Sequence, residues 1–233
     1  MREIKDKHYR SDIPADVIEE LEREYKNENG RITLRSMRCL RNGEVVGKRH
    51  YDECDRLIIE TPLRDGKQHG KVFTFYENGR VQSAMPYVDG REHGIAKQWD
   101  EAGKLMGMYK LTHGTGFDLW RNVREDGSFY LGEIYAMRAG LPHGFEWWLN
   151  EDEASVHHER HWHAGEWHGI ERQWNWEGGL RRGYPKYWIH YEQVTKRQYL
   201  SAARSDDTLP TFCAEDNLPQ RRFPTEIEKL LKR

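Results

Sequence analysis

The sequence predicts an all-β protein: an elongated antiparallel sheet of stacked β-hairpin repeats, with short helical caps at the N- and C-termini. Three observations lead there. A glycine–histidine motif returns at near-constant intervals, and the stretch after each copy alternates apolar with polar residues. The third is composition: only 36% of the 233 residues are hydrophobic, yet 12% are aromatic, with nine Trp and twelve Tyr. Disordered chains are poor in aromatics and carry high net charge, whereas this chain has a formal charge of −2. It can fold, around a thin core of rings. The length is routine for a single all-β domain.

The repeats come first. "DGKQHG" ends at Gly70, "DGREHG" at Gly94, "AGLPHG" at Gly144 and "AGEWHG" at Gly169. A shortened copy, "THGTG", ends at Gly116, and a fainter one, "NGEVVG", at Gly47. Successive closing glycines are 22 to 28 residues apart, the mark of a repeat architecture. Most residues at odd offsets after them are apolar, namely Phe73 and Phe75, Ile95 and Trp99, Phe117 and Leu119, Phe145, Trp147 and Leu149, Ile170 and Trp174, with Lys71, Lys97, Arg121 and Arg172 the exceptions. Even offsets carry mostly polar residues, among them Thr74, Gln98, Asp118, Glu146, Glu171 and Gln173. This period of two belongs to a strand with one buried face. Glycine then returns at Gly79, Gly103, Gly127 and Gly178, often as "ENG" or "EDG", in turns that need positive φ. A second strand runs to the next motif. One hairpin alone is marginal, so its neighbours must stabilise it.

"YENGRVQSAMPYVDGREHG" at 76–94 resembles the MORN repeat, above all the bacterial MORN-repeat-variant group of YwqK-family toxin–antitoxin antitoxins. The resemblance covers roughly 42–188, best at 65–110 and 139–180. It departs at 113–116 and at 183–187, where "GYPKY" lacks His-Gly. It implies an elongated sheet of hairpins with a protein-binding or scaffold role and no catalysis. An antitoxin or immunity protein that occludes a toxin would fit it.

The flanks read as caps: 1–41 as a helical N-terminal cap, 42–188 as repeats, 189–233 as a helical and loop tail packed on the array. At 11–25 a helix would put Ile13, Val17, Ile18 and Leu21 on one face, with Pro14 in its first turn. At 195–204, Thr195 and Gln198 form a capping box, and Tyr199, Leu200 and Ala203 would point inward. Ile227, Leu230 and Leu231 make an apolar stripe in a helix over 224–233. The segment 205–223, with Pro210 and Pro219, reads as a loop laid over the sheet.

Composition bounds the function. Arg181–Arg182 and Arg221–Arg222 are isolated basic pairs, so no nucleic-acid surface is expected. No polybasic stripe supports a membrane-surface scaffold, and no apolar run can span a bilayer. Cys39, Cys54 and Cys213 are odd in number and form no CxxC, which fits a reducing compartment. "MREIKDKHYR" has no apolar signal region behind it. A soluble cytoplasmic protein is expected. No nucleophile–base pair or phosphate loop stands out, so neither enzyme activity nor a cofactor is expected.

The densest cluster is "HHERHWHAGEWHG" at 157–169. His69, His93, His143 and His168 recur once per repeat, which argues for a structural role: packing on a neighbouring ring and donating one bond to backbone. Alternation puts His157, His161 and His163 on one face with Glu159, away from Trp162, which is expected inward. An H-x-H pair with Glu159 can hold zinc and would make a metal-dependent enzyme. No cysteine or HExxH accompanies it, so no metal is assigned and an exposed polar face is preferred. Three tryptophans break the pattern. Trp120 and Trp148 stand where other repeats have Thr74, Gln98 and Gln173; Trp167 stands at the position of Gln68, Glu92 and Pro142. Such rings must be covered, by the tail or by a partner, and tryptophan is enriched in binding hot spots. The partner-binding candidates are therefore Trp120, Trp148, Trp167, His161 and His163, facing a protein partner, with homodimer pairing left open.

Overall fold

The computed structural model describes residues 6–231; residues 1–5 and 232–233, parts of the expected N-terminal cap and last helix, lie outside them. The chain divides into two units, residues 1–114 and 115–233. Among the described residues it is mostly β, with eighteen strands and two short α-helices.

The first unit holds β1 (Ile18–Lys26), β2 (Ile32–Arg41), β3 (Glu44–Asp52), β4 (Leu57–Arg64), β5 (Lys67–Gln68), β6 (Gly70–Phe75), β7 (Val81–Val88), β8 (Arg91–Glu92), β9 (Gly94–Trp99) and β10 (Leu105–Thr112). Neighbours in sequence pair antiparallel; β4 and β7 each pair with both pieces of an interrupted strand, β5 with β6 and β8 with β9. The second unit holds β11 (Thr115–Val123), β12 (Phe129–Arg138), β13 (Leu141–Leu149), β14 (Val156–His163), β15 (Glu166–Trp167), β16 (Gly169–Gln173), β17 (Lys186–Ile189) and β18 (Glu192–Val194), then α1 (Lys196–Ala202) and α2 (Thr225–Leu231). These strands also form antiparallel hairpins, with β14 bridging β15 and β16. Strands therefore begin before residue 42 and continue past 188.

Two kinds of turn alternate. At the "ENG" type, Gly79 N–H donates to Tyr76 O at 2.9 Å and Gly79 takes φ 80°. At the "DG" or "AG" type both central residues take positive φ, as in Asp89 (50°) and Gly90 (85°) or Ala164 (49°) and Gly165 (87°). That is the type I′ signature, whose twist suits a two-residue hairpin. The closing glycine has a different reason. Gly94 and Gly169 take φ 127° and 145°, and a Cβ there would lie 2.9 Å from Pro86 and 2.7 Å from His161 across the ladder. Only a residue without a side chain fits.

The expected N-terminal helix is a strand. β1 pairs with β2 from Ile18↔Leu40 to Lys26↔Ile32. Its acids meet bases across the strands: Glu19 with Arg49 at 2.6 Å, Glu22 with Lys48 at 2.7 Å, Glu20 with Arg38 at 3.4 Å. The would-be helical stripe goes unused, with Ile18 70% exposed. Cross-strand pairing overrode a pattern that was only weakly amphipathic. Ile13 is buried, against Gly47. The segment before β1 crosses the first unit as irregular chain with turns at 7–8 and 15–16. Asp6 accepts from Val81 N–H at 3.1 Å, Asp12 from Lys71 N–H at 2.7 Å, and Tyr9 packs edge-on against Phe73 and Phe75. These rings, with Val81, Ala84 and Trp99, form that unit's core.

The C-terminal elements are helical. The Thr195–Gln198 capping box opens α1, which buries Tyr199 against Ile170, Tyr187 and Leu209, while Leu200 stays exposed. The intervening tail lies on the second unit: Val156 N–H donates to Pro219 O at 2.9 Å, Trp174 Nε1 to Asn217 O at 2.8 Å, and Phe223 sits edge-on to Trp147.

Each terminal segment is anchored to a buried carboxylate. Glu60 accepts from Tyr9 OH and Arg49 Nε, both at 2.8 Å. Glu159, 2% exposed, accepts from Arg172 and Arg221 at 2.6 Å and from Trp147 Nε1 at 2.8 Å. The two occupy equivalent repeat positions, because His69 N–H bonds Pro62 O and His168 N–H bonds His161 O. Glu159→Ala strands Arg172, itself 1% exposed, and breaking a buried pair costs about 3–5 kcal/mol. Urea unfolding measures this; a loss below about 1 kcal/mol would contradict the anchoring role.

Candidate functional site

The recurring histidine clamps the next hairpin. His69, His93, His143 and His168 each accept, through Nδ1, a backbone N–H: from Asp89 at 3.4 Å, His113 at 3.1 Å, Ala164 at 3.2 Å and His190 at 3.2 Å. Each donor opens a positive-φ turn, with φ of 49–50°. In the shortened motif Thr115 takes the same part: its Oγ1 accepts from Ala139 N–H at 3.0 Å. The imidazole is thus an acceptor from backbone and not the donor expected from sequence. A ring nitrogen accepts only through a lone pair, so at His93 and His168 the ring is neutral with its proton on Nε2. Rings also pack in file, His93 on His113 at 4.2 Å and His168 on His190 at 4.3 Å.

This assignment bears on metals. Among the described residues, one group has metal-ligand spacing: His168, His190 and Asp206, with ligand atoms within 4.8 Å of one another. His168 is fully buried; its Nδ1 holds the clamp and its Nε2 bonds Thr208 Oγ1 at 2.9 Å. No lone pair is left, so ligation requires giving up the turn. The 157–163 face assembles no such group. His161 Nδ1 bonds His168 O at 2.5 Å, His163 packs on His143 and His168, and Glu159 is held by two arginines. The C-terminal tail covers this face at Glu159, while His157 at its edge stays exposed. The reason is Glu159, whose charge attracts Arg221 from the tail and buries the surrounding surface with it.

Trp162 lies on the opposite face, outward and half-buried, where the sequence reading had it inward. There the strand register lines up Trp120, Glu133, Trp148 and His158 across β11 to β14. The next row is Asp118, Tyr135, Glu146 and Arg160. Beyond it Trp162 pairs with Trp167. The Arg160 guanidinium is 4.3 Å from the Trp167 ring centre, 5.6 Å from Trp148 and 5.8 Å from Trp162. Trp148 stacks on His158 at 4.3 Å, and Trp167 meets Trp188 edge-on at 5.0 Å. Ring donors satisfy the carboxylates: Trp162 Nε1 to Glu146 at 2.5 Å, Trp188 Nε1 to Glu171 at 3.0 Å, Tyr135 OH to Glu133 at 2.5 Å. Burial pushes Glu146 up, and Trp162 offsets only part of it. Burial also works against ionised Glu171, but His158, Arg160 and Trp188 hold its carboxyl at about 2.

Of the sequence candidates, Trp120, Trp148 and Trp167 thus share one face, His161 lies on the covered face, and His163 sits in the file of imidazoles. Sequence reasoning missed Arg160, Tyr135 and Trp188 here. Their parity along β12, β14 and β17 was the available signal. No known protein family matches the sequence, and a search of curated proteins finds no match.

Two outcomes follow from the clamps. Burial and neighbouring imidazoles pull His143 and His168 below their ordinary value. The unfolded chain then takes up protons first, from about pH 6.5. Stability is therefore complete above that pH and falls as pH drops through the lower folded values. His168→Ala costs about 1–3 kcal/mol near neutrality, and its gap to the parent narrows on acidification as the parent loses the same bond. Thermal scans across pH check both. Equimolar Zn²⁺ should leave the melting temperature unchanged; a rise would mean that the site binds metal after all.

Proposed function

We propose that the chain is a non-enzymatic protein-binding module, and that the ring-and-charge face of its second unit is the binding surface. The observation that carries this reading is Arg160 set among Trp148, Trp162 and Trp167 on the face opposite the tail. Tryptophan and arginine dominate binding hot spots, and half-buried rings on a sheet lose their remaining water on contact. Glu146 and Glu171 are buried under the rings, and the half-buried Asp118 and Glu133 balance Arg160 and Lys186, so the complementary partner meets apolar rings set among charges of both signs. Hydrogen bonds to carboxylates hold Trp162, Trp188 and Tyr135, and Trp148 stacks on His158, which lowers the ordering cost of association. The MORN-like pattern adds the antitoxin or immunity reading, in which this face occludes a toxin in the cytoplasm. The competing metal-dependent enzyme is less favoured, because Glu159 and His161 are already engaged.

A Trp148→Ala, Trp167→Ala double variant tests the reading. The parent chain, used as bait in an extract of its native host, should retain a specific protein that the variant loses, at similar melting temperatures. Truncating two central anchors should weaken binding at least about thirtyfold, roughly 2 kcal/mol. Equal retention by both would contradict the assignment of this face. A large drop in melting temperature would instead assign the rings to internal packing.

A further inference from the structure

One turn of the second unit departs from its counterparts. Equivalent hydrogen bonds close the turns that start at Tyr76, Asp100, Arg124, Asn150 and Asn175. The residue after each is Glu77, Glu101, Glu125, Glu151 and, last, Trp176. Four solvated glutamates thus correspond to one indole, and that indole is 92% exposed. Leaving so large an apolar ring in water is unfavourable unless something lies on it.

Trp176 stands at the rim of an open surface recess of about 370 Å³. His157, His158, Gln173, Trp174 and Arg181 also line it, and no carboxylate does. Its frame is rigid. Trp174 N–H bonds His157 O at 3.0 Å, and Arg181 N–H bonds Gln173 O at 2.9 Å. Asn217 O holds the Trp174 indole, Arg221 lies over its ring, and Glu171 holds His158. Three groups stand in contrast. Among the described residues, no hydrogen bond or ion pair engages the Arg181 guanidinium or the His157 imidazole, and the Trp176 ring is bare. The recess therefore offers one uncommitted cation, one neutral donor–acceptor and one stacking surface.

We infer that this recess binds a small planar anion. The ring of the ligand stacks on Trp176, as bases and other π faces do on indole. Its carboxylate or phosphate takes the Arg181 fork, whose geometry matches either group in a bidentate pair. His157 supplies a hydrogen bond. The inference goes beyond the protein-binding face and does not depend on it.

Calorimetric titration of the full chain tests it with three probes: adenosine 5′-monophosphate, indole-3-acetate and inorganic phosphate. Trp176→Ala and Arg181→Ala are the paired variants. Both positions are exposed, so melting temperatures should hold. At least one ring-bearing probe should saturate with a Kd below about 1 mM. Each variant should weaken it tenfold or more, and phosphate alone should bind at least tenfold more weakly. Preference between the two ring-bearing probes identifies phosphate or carboxylate as the anion. The inference fails if neither probe saturates, if either variant binds like the parent, or if phosphate binds as well as the ringed probes.

Discussion

A single hydrogen bond repeated along the chain sets the architecture: a backbone N–H at the start of one turn, pointing into the imidazole Nδ1 of the preceding hairpin. Hairpins joined only by ladder bonds can slip or splay. The clamp fixes each turn against the hairpin before it and satisfies a donor that a tight loop leaves exposed. It also explains why the residue after the histidine is glycine. The chain takes positive φ there, directly opposite a side chain of the previous strand. At Thr115 a hydroxyl replaces the imidazole without changing the geometry. At the last turn His190 and Tyr191 both take positive φ without any glycine. His168 holds that turn through its amide and through ring contact.

The clamps leave two unlike faces in each unit. On one, a buried glutamate draws in a terminal segment, Tyr9 to Glu60 and Arg221 to Glu159. In the second unit that choice leaves the other face to a lattice of indoles, carboxylates and one arginine. A buried pair contributes little net stability over an apolar substitute, but it commits the tail to one register. Covering one face by the chain's own ends and leaving the other braced but open is what a binding module requires.

Much of this was legible in the residues. The recurrence of Gly-x-x-His-Gly located the turns, period two located the strands, and Thr195 with Gln198 located the start of α1. The misreadings have physical causes. Ile13, Val17, Ile18 and Leu21 sit at helical spacing, but the alternating glutamates of β1 found Arg38, Lys48 and Arg49 on adjacent strands, a partnership invisible to a local window. Trp162 stands at the aromatic position that precedes the Gly-x-x-His-Gly motif, which points it inward by sequence. Yet Glu159, one strand position type away, had two arginines waiting, one of them sixty-two residues later. The donor sense of the histidines could not be read from sequence, because imidazole serves either way. Trp176 stands where the equivalent turns carry glutamate, an equivalence set by turn geometry that residue type alone does not reveal.

The tautomeric state of the clamp histidines tests this account most directly. Long-range ¹H–¹⁵N correlation of the imidazole nitrogens near about pH 7.5 distinguishes the two neutral forms. His93 and His168 should each carry their proton on Nε2 with Nδ1 bare, and His161 should show the reverse, since its Nδ1 donates to His168 O. Clamp histidines protonated on Nδ1 would contradict the account, because the bond that sets the hairpins would have no acceptor.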